Sequence, residues 1–441
     1  SMKKNYPRNM IGYLSKTPIK KRRNSLKTTL KSIFNWKKFK MKIYYGKAIY
    51  NNKEISAAVK VLKKTSLNLI DGPAVKEFEK KIVKLFGKKY GLMVNSGSSA
   101  NLLALASFDF KKGSEIITPT LTFSTTVSPI YQLGLVPHFI DVEKNKFTAN
   151  ISQIEKCINK KTVAIVIPNL LGNIPEWKQI SKIAKKYKLK VIEDSADTIG
   201  YKYENSNTGK YSDIVTNSFY ASHIITGAGF GGLVCFNNKK LYDRAKLLRG
   251  WGRSSSVFDE SESIKLRFSS KVDGIPYDGK YIFSAMGYNF IPSEISAAFA
   301  IEQLKKLKKN IEIRIKNFKF LYNFFKEYTY LMKLPLQNLN SKTGWLAFPI
   351  VLRENNNIKR KNLQIYLEKN NIQTRTIFTG NILRQPMMKG RYFRKHKESS
   401  LVSDDVMKNG ILIGCHHGLR INELKYICNT FKKYFDSVKF N

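Results

Sequence analysis

Between residues 90 and 236 short apolar runs alternate with helix-like stretches, and this alternation most limits the folds open to the chain. Tyr90–Val94, Glu115–Thr118, His138–Val142, Val163–Ile167, Lys190–Ile192, Asp213–Phe219 and Gly232–Phe236 read as strands. Val163–Ile167 is apolar without interruption, as a strand covered on both faces must be. Helical patterns fall between the strands, at Leu102–Phe108 and Trp177–Tyr187 for example. Strands alternating with helices predict an open, mostly parallel sheet covered by helices. Upstream, a helical pattern begins near residue 54 and is broken at Asp71-Gly72-Pro73. A second helix over Ala74–Phe86 places Val75, Phe78, Ile82 and Phe86 on one face. Downstream, a long helix over about Glu294–Phe318 is expected to lead into a smaller α+β region with strands at Gly344–Leu352 and Ile411–Ile413. The expected organisation is a basic extension over 1–42, a large α/β domain over 43–300 and a small domain over 301–441.

Composition narrows the class of partner. The 441 residues carry a formal charge of +46, from 78 Lys/Arg against 32 Asp/Glu. Residues 1–53 hold sixteen Lys/Arg and no acid before Glu54. Such a charge favours anionic partners in general, but no zinc finger, RNP-type strand or other nucleic-acid module accompanies it. No specific nucleic-acid partner is therefore expected. Weak association of residues 1–42 with an anionic membrane surface is compatible with Phe34, Trp36 and Phe39 lying among basic residues. No apolar run is long enough to span a bilayer, and a cytoplasmic protein is the expectation. Cys157, Cys235, Cys415 and Cys428 match no metal or cluster spacing.

Three distant segments fall where strands end, the place where open α/β sheets bind ligands. Asn95-Ser96-Gly97-Ser98-Ser99 is a glycine-containing turn before a helix, able to offer amides and hydroxyls to an anion. Val191-Ile192-Glu193-Asp194 ends an apolar strand on a carboxylate. Ser218 through Gly232 carries His223 and then Gly227, Gly229, Gly231 and Gly232. Taken singly, each also fits a plain helix cap, a structural acid or a ligand-free glycine turn.

In this order the three segments resemble the DegT/DnrJ/EryC1/StrS sugar aminotransferases, enzymes of fold type I that use pyridoxal 5′-phosphate (PLP). The resemblance runs from about residue 45 to 435. It extends to Thr118–Thr126, Gly250-Trp251-Gly252-Arg253, Met286-Gly287-Tyr288-Asn289, Arg375, and Arg384-Gln385-Pro386. It implies an aspartate aminotransferase-like fold: a mostly parallel seven-stranded sheet in the large domain and a smaller C-terminal α+β domain. It also implies roles. Gly97, Ser98, Ser99 and Ser218 would meet the cofactor phosphate, Phe123 would stack on its ring and Asp194 would face its ring nitrogen. Asn289 would act across a homodimer interface into a shared site. Arg253, Arg375 and Arg384 would bind the nucleotide diphosphate or a carboxylate, because guanidinium forks suit both; a surface salt bridge explains any one of them equally well.

The position of the cofactor lysine in that family is occupied by His223. Within the family a histidine there marks 3-dehydratases of nucleotide-linked 4-keto-6-deoxy sugars. Ser195, Ala196 and Ser254-Ser255-Ser256 stand where the cluster-dependent kind carries cysteines, so no iron–sulfur cluster is expected. The implied reaction uses L-glutamate to convert PLP to pyridoxamine 5′-phosphate (PMP), then eliminates the sugar C3 hydroxyl. His223, expected to titrate near neutrality, would act as base and then acid. The product would be a 4-keto-3,6-dideoxy sugar for surface polysaccharide. GDP is the expected nucleotide by analogy with the glutamate-dependent kind; hexose and heptose remain open. An aminotransferase, or a PLP-fold binding protein without turnover, are the competing readings. Ala228 and Phe230 interrupt a loop that in the family reads Thr-Gly-Glu-Gly-Gly.

Overall fold

The computed structural model describes residues 42–64, 68–258, 263–354 and 357–439. The basic extension and its expected helix near 26–39 therefore lie outside the described residues, Lys42 excepted. Seven strands build the main sheet: β1 (Tyr90–Val94), β2 (Glu115–Pro119), β3 (Val136–Ile140), β4 (Thr162–Pro168), β5 (Lys190–Asp194), β6 (Ile214–Ser218) and β7 (Gly232–Phe236). Their order is β1-β7-β6-β5-β4-β2-β3. Only β7 runs antiparallel to its neighbours. The expected seven strands are all present, and a two-residue strand, Arg394–Lys395, adds an eighth, parallel to β3. Sequence pattern cannot show so short a strand. It is held from outside, by the Arg394 guanidinium 3.1 Å from buried Glu115.

Period-two alternation decides which face each strand residue covers. Ile165 and Ile167 of β4 join Met93, Ile117, Val191, Val215 and Leu233 in the core on one face. Ala164 and Val166 join Leu92, Ile116, Ile192, Ile214 and Val234 in the core on the other. Both faces being covered is why apolar residues fill both faces of β4. A third core gathers residues 321–435 around the antiparallel strands Met332–Lys333, Phe348–Leu352 and Gly410–Ile413.

The single long helix expected after Asn289 is two helices, Glu294–Lys305 and Leu307–Phe325. The break falls at Lys306, whose ammonium reaches back to the fully buried carboxylate of Glu54. That partner is far away in sequence, so helical periodicity ran through the break unseen.

Candidate active site

The site forms where β5, β6 and the turn after β1 end on the same side of the sheet. Ser96 caps the helix Gly97–Ala106: its hydroxyl accepts from the Ser99 amide at 3.1 Å. The Gly97 and Ser98 amides at the helix start find no acceptor among the described residues. An anion placed there would meet two N–H groups and the positive end of the helix dipole. A glycine is required at 97, because a Cβ would lie 2.5 Å from Ser218 Cβ and 2.9 Å from its hydroxyl. The end of β6 thus presses against the start of the helix, bringing Ser218 to Gly97. Ser98 also donates to the Thr125 hydroxyl at 3.0 Å. Ser99 is placed differently: its hydroxyl turns back to Ser96, 2.9 Å away, and serves the cap.

Asp194 closes β5 and is 5% exposed. Its Oδ2 accepts from Asn101 Nδ2 and Thr126 Oγ1, each at 2.8 Å, and Oδ1 accepts from the Ala196 amide at 3.1 Å. Asn101 is fixed in turn by the Thr216 hydroxyl, which donates to its Oδ1 at 2.6 Å. Among the described residues no cationic side chain pairs with Asp194. Burial pushes its carboxyl above the usual range, against the three hydrogen bonds that favour the anion. A buried carboxylate so tied down and still lacking a cation suits a protonated ring nitrogen. Phe123, the residue before the helix Ser124–Gln132, is 51% exposed, with the Phe378 ring edge-on to it at 6.2 Å between centroids. The helix-start cradle, the uncompensated acid and the open ring fit the phosphate, ring nitrogen and ring face of PLP.

His223 lies in the turn after β6 with its side chain 16% exposed. Its Nδ1 is 3.3 Å from the Ser218 carbonyl oxygen. A carbonyl only accepts, so Nδ1 carries the hydrogen and the Nε2 lone pair is free. The expectation of a near-neutral imidazole needs correction. Burial, aided by the positive field of Arg314 and opposed by the Ser218 carbonyl, lowers its pKa to about 4. At neutral pH His223 is therefore a neutral base, poised to take a proton.

The three arginines diverge. Arg375 is exposed, with NH1 on the Thr374 carbonyl at 2.8 Å and its guanidinium 5.9 Å from the Tyr45 ring centre. Arg253 stacks over Trp251, Tyr281 and Phe283 at 4.8, 5.3 and 5.7 Å. Arg384 is engaged: both arms of its fork bond Asp404 at 2.5 Å on an exposed surface. For Arg384 the salt-bridge alternative describes what the chain has built. Asn289 is exposed, and its side chain has no partner among the described residues.

Sequence reasoning missed Asn101, Thr126 and Thr216, which hold Asp194, and the buried acid Asp197. Thr126 ends the Thr118–Thr126 segment, and Asn101 and Asp197 lie two and three residues past the segments that drew attention. Their signal was a polar residue among positions that strand and helix patterns require to be buried. His416 is tied to the backbone, with Nε2 3.1 Å from the Tyr44 carbonyl and Nδ1 accepting from the Gly418 amide.

Comparisons with known proteins agree with this geometry. The model of the DegT/DnrJ/EryC1/StrS aminotransferase family matches residues 48–432. The lipopolysaccharide biosynthesis protein RfbH of Salmonella typhimurium is 35% identical, over 81% of this chain and 84% of its own. The GDP-4-keto-6-deoxy-D-mannose 3-dehydratase of Yersinia pseudotuberculosis is 32% identical, over 87% and 96%. The solved Escherichia coli GDP-4-keto-6-deoxy-D-mannose-3-dehydratase with bound hydrated PLP superposes with a TM-score of 0.79 at 29% identity, covering 88% of this chain and 100% of that one. Among the described residues no helix is long and apolar enough to cross a membrane.

Proposed function

The chain belongs to the DegT/DnrJ/EryC1/StrS aminotransferase family of PLP-dependent enzymes, and from that premise we propose that it is a glutamate-dependent C3-dehydratase of a nucleotide-linked 4-keto-6-deoxy sugar. The observation that carries the reading is His223. It occupies the cofactor-lysine position, is neutral, and keeps its Nε2 lone pair free. An imidazole cannot bind PLP covalently as a lysine does, so His223 would not recapture the cofactor once glutamate had converted it to the amine form.

PLP supplies an electron sink conjugated to the reacting sugar carbon. The chain's own residues do the rest. Gly97 and Ser98 amides and the Ser98 and Ser218 hydroxyls would bind the phosphate. Asp194 would keep the ring nitrogen protonated, and Phe123 would cover one ring face. Nε2 of His223 removes a proton at the reaction centre and returns it to the departing C3 hydroxyl, which leaves as water. Burial that lowers the imidazole pKa favours quick return of that proton.

GDP is the nucleotide we favour, because the Yersinia and E. coli relatives act on a GDP-linked sugar by name. Arg375 is the exposed fork available for the diphosphate or for glutamate. We also propose a homodimer in which Asn289 reaches the neighbouring site. Its own side chain is unpartnered, and the preceding segment exposes Phe268, Ile275, Tyr281, Phe283 and Met286, the last at 98%. An apolar surface of that kind is typical of an interface.

Product mass spectrometry tests the reading. The protein is incubated with PLP, L-glutamate and GDP-, CDP- and dTDP-linked 4-keto-6-deoxy sugars, without a reductase. Loss of one hydroxyl oxygen from a sugar, with 2-oxoglutarate and ammonia released, is the expected result. An amino sugar would make the chain an aminotransferase and overturn the role given to His223.

A further inference from the structure

A concavity of about 380 Å³ lies beside the first residues of β1, at the opposite end of that strand from the Asn95–Ser99 turn. One wall is a face of the helix Pro73–Ile82 and the turn that continues it. Lys76, Lys80 and Lys84 follow one another there at i, i+4 and i+8. Lys88 and Lys89 enter from the turn before β1. Tyr90 and Tyr242, whose rings stack 5.2 Å apart, supply the aromatic part of the lining. Unpaired lysines are common on this chain; what sets these apart is that five of them line one hollow.

Like charges at i, i+4 on a helix repel, and the nearby acids are committed elsewhere. Glu77 pairs with Lys81, and Asp243 with Lys239, two lysines that do not line the hollow. Glu79 does line it, but its Oε1 accepts from the Met93 amide at 2.6 Å and lies 3.7 Å from Arg249 NH1. Among the described residues Lys76, Lys80, Lys84 and Lys89 form no ion pair. Lys88 is 7% exposed, and its ammonium is held by the Ser212 and Asp213 carbonyl oxygens rather than by a carboxylate. Positive charge is therefore built into the wall as well as the rim. The hydroxyls of Tyr90 and Tyr242 have no hydrogen-bond partner among the described residues, so both can donate.

We propose that this hollow is a second anion site, distinct from the cofactor cradle, that binds a small molecule through a diphosphate group. Ammonium groups act as compact point charges suited to phosphate oxygens. A single carboxylate would leave most of the five charges unmatched, whereas a diphosphate carries several negative charges over a short span. The volume is at the small end of the range for ligand pockets, about 300–1,000 Å³. The shape also decides against a macromolecule: a nucleic-acid duplex is convex and a bilayer flat, and these lysines look into a concavity. Free pyrophosphate and the diphosphate of a nucleotide share the chemistry the site recognises.

The test footprints lysines on the full chain loaded with PMP, which has no aldehyde to react with them. Exposed lysines are acylated briefly with acetic anhydride, with and without pyrophosphate, and quantified peptide by peptide by mass spectrometry. At about ten times its Kd, pyrophosphate should slow acylation of Lys76, Lys80 and Lys84 about tenfold, since the free fraction is 1/(1 + [L]/Kd). Lys308, Lys309 and Lys316, exposed on the helix Leu307–Phe325, should be unaffected. GDP and inorganic phosphate are run in parallel. Protection by GDP as well as pyrophosphate assigns the site to a nucleotide diphosphate, and protection by pyrophosphate alone assigns it to the free anion. Inorganic phosphate protecting equally well overturns the diphosphate as the ligand. Replacing Lys76, Lys80 and Lys84 together by Gln should raise the calorimetric Kd for pyrophosphate at least about tenfold, while the same change at Lys308, Lys309 and Lys316 should leave it within about twofold. Equal loss in the two triple variants, uniform protection of all lysines, or protection that never saturates overturns the proposal, the charge of +46 then acting as a whole. A short DNA duplex that protects these lysines where the small anions do not also overturns it, in favour of a polyanion surface.

Discussion

The approach of Gly97 to Ser218 is open to a quantitative test, because the steric conflict lies between two defined carbon atoms. A Cβ on residue 97 would sit 2.5 Å from Ser218 Cβ, where non-bonded carbons prefer about 3.5–4.0 Å. Gly97→Ala therefore demands a retreat of about 1 Å. Neither side yields easily. Ser218 is the last residue of β6 and pairs with Gly232 of β7. Gly232 in turn lies so close to the Ser96 carbonyl that a Cβ on it would be 2.1 Å from that oxygen. The helix start is thus pinned between two strand ends. Overpacking of this kind costs about 1–3 kcal/mol. The helix preference of alanine over glycine returns up to about 1 kcal/mol. The net destabilisation expected for Gly97→Ala is about 0–2 kcal/mol. In a Ser218→Gly background the clashing carbon is gone, and Gly97→Ala should be neutral or stabilising. The coupling energy is then about 1–3 kcal/mol. Urea unfolding of the four proteins without cofactor measures it. PLP titration should show a second effect. Displacing the Gly97 and Ser98 amides weakens charge-assisted hydrogen bonds worth about 1.5–3 kcal/mol each, so the Kd should rise about tenfold or more. Additivity of the two substitutions within about 0.5 kcal/mol would refute the steric argument.

Three further outcomes are expected. Asp194→Asn removes the charge proposed to face the cofactor ring nitrogen and, with its one acceptor oxygen, can keep the bonds from Asn101 and Thr126 but not the one from the Ala196 amide; kcat should fall about a hundredfold or more, each 1.36 kcal/mol being tenfold, and equal turnover would show that Asp194 has no such role. Burial raises the Glu79 pKa from 4.5 to about 7, against the opposing charge of Arg249. A raised folded-state value means stability is present below the unfolded pKa and is lost as pH rises through about 4.5 to 7. Glu79→Gln should remove that decline, on the order of a few kcal/mol, and urea midpoints measured against pH in both proteins check it. Arg384→Gln breaks an exposed bidentate pair with Asp404; it should cost at most about 1 kcal/mol and leave sugar KM within about twofold, since a tenfold change in binding needs 1.4 kcal/mol. A larger rise in KM would return Arg384 to the substrate site.

The sequence by itself determined what local pattern can encode. Apolar runs and their period of two set all seven main strands and the two faces they cover. The Asn95–Ser99 turn marked the helix start after β1, and the β5 terminus marked Asp194. The histidine at 223 was legible as a departure from a familiar motif. What only the tertiary structure decided are properties that depend on neighbours distant along the chain. Lys306 at the helix break pairs with Glu54, and Arg394 of the eighth strand pairs with Glu115, partners that no local window contains. Arg384 could not be separated from a substrate ligand until Asp404 appeared beside it. The protonation of His223 reversed its expected value, because desolvation by the surrounding fold outweighs an imidazole's intrinsic preference and no sequence window contains that surrounding. Asp197 was in plain view among the residues after β5, yet only the fold shows it buried with one oxygen accepting from the Leu171 amide.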